Sequence, residues 1–145
     1  MGWWSHNVMG GDRPLDLLGS IAKTLGAPFD AKSPTAWHCY EWPTLTPERV
    51  TAATVWLDTC RHDRSIAAQV LATLLMARGA PIGDALRHKL SLLIESDEWA
   101  AEGDYERRGE IDGLLLALMR YRDGTPADYD NDPGLLAKLA EKGAL

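Results

Sequence analysis

A chain of 145 residues, 46% hydrophobic and 25% charged, is long enough for one self-sufficient core and lies well outside the disordered regime. Its net charge of −6 argues against phosphate-backbone binding, which needs clustered lysine and arginine, so nucleic acid is not an expected partner. Cys39 and Cys60 are the only cysteines, too few for a secreted disulfide scaffold, and read as reduced and packed. No basic region followed by an apolar run opens the chain, and its longest apolar-rich stretch, Ile66 to Ala77, is too short to cross a bilayer. A cytoplasmic location without membrane contact is therefore expected.

In chain order, the first sixteen residues concentrate Gly2, Trp3, Trp4, His6, Gly10, Gly11, Asp12 and Asp16. Trp3 and Trp4, with Trp37 and Trp42, predict an aromatic first third that packs over helices formed later, because indole buries a large area. Asp12 reads as the cap of a first helix with Pro14 in its first turn. Leu15, Leu18, Ile21, Ala22 and Leu25 line one face of that helix until Gly26 ends it. The proline-rich stretch from Ala27 to Leu45 reads as a long loop with one helical turn near Trp37.

Thr46 followed by Pro47 is a cap and a first-turn proline. It opens a second helix with Val50, Ala53, Leu57 and Cys60 on one face, ending near Arg61. Asp63 or Ser65 restarts the chain into Ile66 to Ala77, apolar on nearly every side apart from Gln69 and Thr73, which places this helix at the centre of a bundle. Gly79 and Pro81 close it. A fourth helix presents Leu86, Leu90, Leu93 and Ile94, and a fifth, from Asp104 to Arg122, presents Ile111, Leu114, Leu115, Leu118 and Met119. Asp132 and Pro133 begin a short C-terminal helix with Leu135, Leu136 and Leu139. The pattern predicts one all-α domain over residues 1–145, a bundle of five or six helices with the Trp-rich N-terminal segment packed against it.

Met1, Gly2, Trp4, Asp12, Leu15 and Asp16 form an opening signature. It resembles that of a family of small bacterial proteins of unknown function that begin Met-Gly-x-Trp and continue to Asp, then Leu and Asp at a helix start. The likeness extends more loosely through the alanine-rich central helix to Ile94, Glu95, Ser96, Glu98 and Trp99. It implies an all-helical fold and no known activity. Where the family usually carries a second acid, Arg13 stands here, which removes an adjacent acidic pair. Asp12 and Asp16, four residues apart, share a helix face; the preferred reading is a cap and a dipole partner rather than a metal site.

Several other groups carry possible chemistry. His38, Cys39, Cys60 and His62 hold suitable atoms for zinc, but their pairs lack the intervening residues that zinc ligands normally have. His62 and Asp63, with His38 before them and Asp123 or Asp128 after, resemble the ligands of the helical metal-dependent phosphohydrolases. That resemblance gives the alternative function, with His38, His62 and Asp63 as the catalytic set. Asp128, Asp130 and Asp132 alternate like a calcium loop, but Pro133 takes the glycine position and Leu139 that of the closing glutamate. Eight acids, including Glu95, Glu98 and Glu102, fall between Glu95 and Asp112, with Trp99 among them. They read as a solvated face and, functionally, as a docking surface for a basic protein with Trp99 as anchor. The function expected from this sequence is non-enzymatic binding or regulation through protein contacts, with no cofactor or metal.

Overall fold

The computed structural model describes residues 7–30 and 39–129, and these form an all-α bundle. Its helices are α1 (Asp12–Leu25), α2 (Pro47–Thr59), α3 (Arg64–Ala77), α4 (Gly83–Glu95), α5 (Glu98–Ala101) and α6 (Tyr105–Arg120). α3 packs against α1, α2, α4 and α6, while α5 packs on α6. The reason is visible in its residues: every position from Ala67 to Met76 is buried, so all sides of this helix need a neighbour. None of the helices among the described residues is long and apolar enough to cross a membrane.

The helix ends follow local chemistry, with one departure from expectation. Thr46 Oγ1 accepts from the Arg49 N–H and Pro47 occupies the first turn, as the sequence predicts for α2. At α1 the N-cap is Gly11, without a side-chain cap, and Asp12 is already the first helical residue. The capping role assigned to Asp12 is therefore corrected: its carboxylate sits in the first turn, where the helix dipole favours it. α1 stops at Gly26, whose left-handed backbone (φ 69°) turns the chain so that the Ala27 N–H reaches the Ala22 carbonyl at 2.8 Å. Asp63 occupies the N-cap position of α3 but makes no side-chain cap; its carboxylate takes the Arg13 guanidinium instead. Of the two restarts that the sequence offers, Asp63 and Ser65, it is Asp63 that takes the N-cap position.

α6 begins one residue after Asp104, whose Oδ1 accepts from the Arg107 N–H at 2.9 Å while Oδ2 accepts from the Trp99 indole N–H at 2.9 Å. One carboxylate thus starts α6 and fixes the ring on α5. Replacing Asp104 by alanine is expected to lower the unfolding free energy by about 1 kcal/mol through the lost cap alone. Urea unfolding of Asp104→Ala beside Asp104→Asn, which keeps an acceptor, is the check.

The inner stripe of α6 is Ile111, Leu114, Ala117 and Leu118, all buried. Met119 is corrected from core to surface: it lies about 100° round the helix from Leu118 and is 67% exposed. α5, only four residues long, has no counterpart among the expected helices. In the first third, Trp42 is buried and its ring lies 5.4 Å from that of Tyr40, which in turn pairs through its backbone with Phe29. Trp3, Trp4 and Trp37, the helical turn near Trp37, and the C-terminal helix from Asp132 all lie outside the described residues.

Candidate functional site: a cleft over a buried ionic network

The turn between α2 and α3 faces the turn between α4 and α5 across a cleft of about 500 Å³. Arg61, His62 and Arg64 stand on the first side; Glu98, Trp99 and Glu102 stand on the second. Both turns are placed by α3, which carries the first at its own N-terminus and packs along α4, the helix that delivers the second.

Beneath the cleft lies a polar network inside an otherwise apolar bundle. Arg107, on α6, has no exposed surface, and neither has Gln69 on α3; Asp97, before α5, is 3% exposed. The Arg107 guanidinium meets Asp97 side-on, Nη2 donating to Oδ2 at 3.0 Å and Nε to Oδ1 at 3.4 Å. Nη2 also donates to Gln69 Oε1 at 2.7 Å, and Nη1 donates to the carbonyl of Asn7 at 3.2 Å. Gln69 Nε2 donates to Asp97 Oδ2 at 2.8 Å and to Ser65 Oγ at 3.2 Å. Asp97 Oδ1 accepts the Ala100 N–H at 2.8 Å, so the same carboxylate caps α5. The Trp99 ring covers the guanidinium with its centroid 4.9 Å from Cζ. Among the described residues every buried side-chain nitrogen and oxygen has a hydrogen-bond partner.

Burial alone would push the Asp97 carboxyl up. The Arg107 guanidinium, the Ala100 N–H and the Gln69 amide outweigh it and hold the group below the ordinary carboxylate range. An unfolded aspartate takes up its proton at about pH 3.9, and folded Asp97 does so lower. Between the two values the unfolded chain binds more protons, so stability rises with pH there. The contribution of Asp97 is complete above about pH 4 and is lost as the pH falls through the folded value. Asp97→Asn is expected to flatten this acid limb, read as the slope of unfolding free energy against pH.

The residues singled out from sequence are distributed as follows. Trp99, expected as the anchor of the docking surface, is half-buried and lines the cleft, with its ring against Arg107 and its N–H on Asp104. Glu95 shares Arg108 with Asp112, at 3.0 and 2.5 Å. Glu98 and Glu102 are exposed on the rim of the cleft. Asp12 and Asp16 are exposed on α1, and Gly2 and Trp4 lie outside the described residues. Cys39 and Cys60 are free and half-buried, and burial pushes both thiols up, which opposes thiolate formation.

His62 and Asp63 are adjacent at the N-terminal end of α3, and Asp63 is engaged by Arg13. The two acids considered as distant ligands sit at its other end. Asp123 accepts from the Gly83 N–H and pairs with Arg87, and Asp128 follows Ala127, whose N–H bonds the Met76 carbonyl. The fourteen residues of α3 place the two groups about 20 Å apart, beyond any shared metal ion. Asp123 and Asp128 are thus kept away from His62 and Asp63, while His38, the remaining member of the catalytic set, lies outside the described residues. Asp130 and Asp132 of the calcium-loop pattern lie outside them too. Among the described residues no three His, Cys, Asp or Glu side chains are grouped to hold a metal ion.

The network was missed by sequence reasoning, although signals for it exist. Gln69 interrupts an apolar run without a surface to face, and Arg107 precedes Ile111, Leu114 and Leu118 by four, seven and eleven residues, on the same inward stripe. Comparison with protein-family models, curated proteins and solved structures finds no match to this chain.

Proposed function

We propose that this is a non-enzymatic binding or regulatory protein that acts in the cytoplasm through contacts with another protein, and that the contact surface is the cleft rim formed by α5 and the α2–α3 turn. The observation that carries this reading is the contrast between floor and rim. In the floor, Arg107, Asp97 and Gln69 are committed to one another. On the rim, Glu98 and Glu102 are exposed charges four residues apart, at the first position and at the C-cap of a short helix whose N-cap is Asp97. A rigid base with solvated charges above it supports recognition, since rim charges steer a partner and fix its register. Glu98 and Glu102 supply the acidic contact; Glu95, already sharing Arg108, contributes less.

The test is affinity capture from the source cell by the native protein and by the Glu98→Lys, Glu102→Lys double variant, both checked for native helicity. Proteins retained by the first and lost by the second are the expected result. An identical set retained by both would remove the acidic rim from the function.

A further inference from the structure

We infer that the cleft accepts a partner segment carrying both signs of charge, an acidic side chain against Arg61 and His62 and basic side chains against Glu98 and Glu102. This rests on the protein-contact reading above and narrows the partner from basic to mixed in charge.

The argument is the segregation of charge across one opening. Arg61 and His62 are exposed, line the cleft, and have no side-chain partner among the described residues. Arg64 beside them is already committed in part, donating to Asp58, which also accepts from Lys89 at 2.7 Å. Asp63 lines the same wall, but its carboxylate is paired with Arg13, so it is not the partner of Arg61. Opposite, Glu98 and Glu102 lie at helical spacing i, i+4, a like-charge pair that an arriving cation relieves. Asp97 and Arg107, the charges between the walls, cancel in the floor at 3.0 Å. The walls therefore decide what enters. An all-basic segment meets the unpaired Arg61 guanidinium, and an all-acidic one meets two glutamates; only a segment with both signs is matched on each side.

Three fluorescein-labelled synthetic peptides of equal length test this by anisotropy at low salt with the full chain: one with a glutamate flanked by lysines, one with lysines only, one with glutamates only. The mixed peptide is expected to bind about tenfold more tightly than either of the others, the sum of two exposed ion pairs. In the Arg61→Glu, His62→Glu variant, whose changes are at exposed positions, the preference is expected to pass to the all-lysine peptide. Equal binding of the mixed and all-lysine peptides by the native protein would overturn the inference while leaving a basic partner intact. Absence of binding by the mixed peptide would overturn it as well; loss of captured proteins on reversing Glu98 and Glu102 would then still support the protein-contact reading by itself.

Discussion

Arg107→Ala is expected to lower the unfolding free energy by about 3–5 kcal/mol, because it leaves Asp97 charged, buried and without its cation. The same change removes donors from Gln69 Oε1 and from the Asn7 carbonyl, so the attachment of the segment before α1 weakens with the network. Arg107→Lys does not restore it, since one ammonium cannot reproduce the side-on pair to Asp97 and the bonds to Gln69 and Asn7 together. Combining Arg107→Met with Asp97→Leu is expected to recover part of the loss, because a buried pair replaced by apolar groups leaves no charge uncompensated. Recovery stays incomplete, because the α5 cap that Asp97 also provides is lost, about 1 kcal/mol, and the buried Gln69 amide loses its partners on Arg107 and Asp97, about 1–3 kcal/mol more. Chemical denaturation of the three variants checks the order. A full loss in the double variant would show that the pair stabilises the fold beyond charge balance.

The second large effect is in the apolar centre. Leu74 has no exposed surface and lies on the helix that four others surround, so Leu74→Ala is expected to cost about 2–5 kcal/mol. Against a typical total of about 5–15 kcal/mol this is a large share, and the midpoint of thermal unfolding should fall by several degrees. Val55→Ala, at a position of α2 that is 61% exposed, is the matched control and should leave the midpoint nearly unchanged. A similar fall in both variants would contradict the placement of α3 at the centre.

The elements legible in the sequence were those with a long period and a marked end. Thr46 with Pro47, and Gly79 with Pro81, bracket α2 and α3 because caps and proline act within a few residues. α4 and α6 carry enough inward leucines and isoleucines to be read directly. α5 was not legible: four residues are too few to show a period, and what stabilises it is Asp97, whose usefulness depends on Arg107 from ten residues later. The start of α1 was misplaced by the attraction of Asp12 as a cap, when Gly11 takes that position by backbone conformation alone.

The candidate site was legible in part. Glu98, Glu102 and Trp99 were visible as an acidic, aromatic run, and His62 with Asp63 as a polar break between helices. That these two stretches face each other is a property of how α3 and α4 pack, which no local pattern encodes. Gln69, Asp97 and Arg107 meet from three separate elements, so each looked like an ordinary exception to its own helix or loop until they were brought within 3.0 Å of one another.

The two ends of α3 are closed by segments distant from it in sequence. At its C-terminal end the chain after α6 returns: Tyr121 Oη donates to the Ala80 carbonyl at 2.6 Å, the Ala127 N–H bonds the Met76 carbonyl at 2.8 Å, and Pro126 lies against Gly79. At its N-terminal end Gln69 is held by residues of α6 and of the turn before α5. Fraying of this helix from either end therefore requires releasing other parts of the bundle first, so its backbone protons should be the last to be replaced by solvent deuterium, at a rate set by opening of the whole fold.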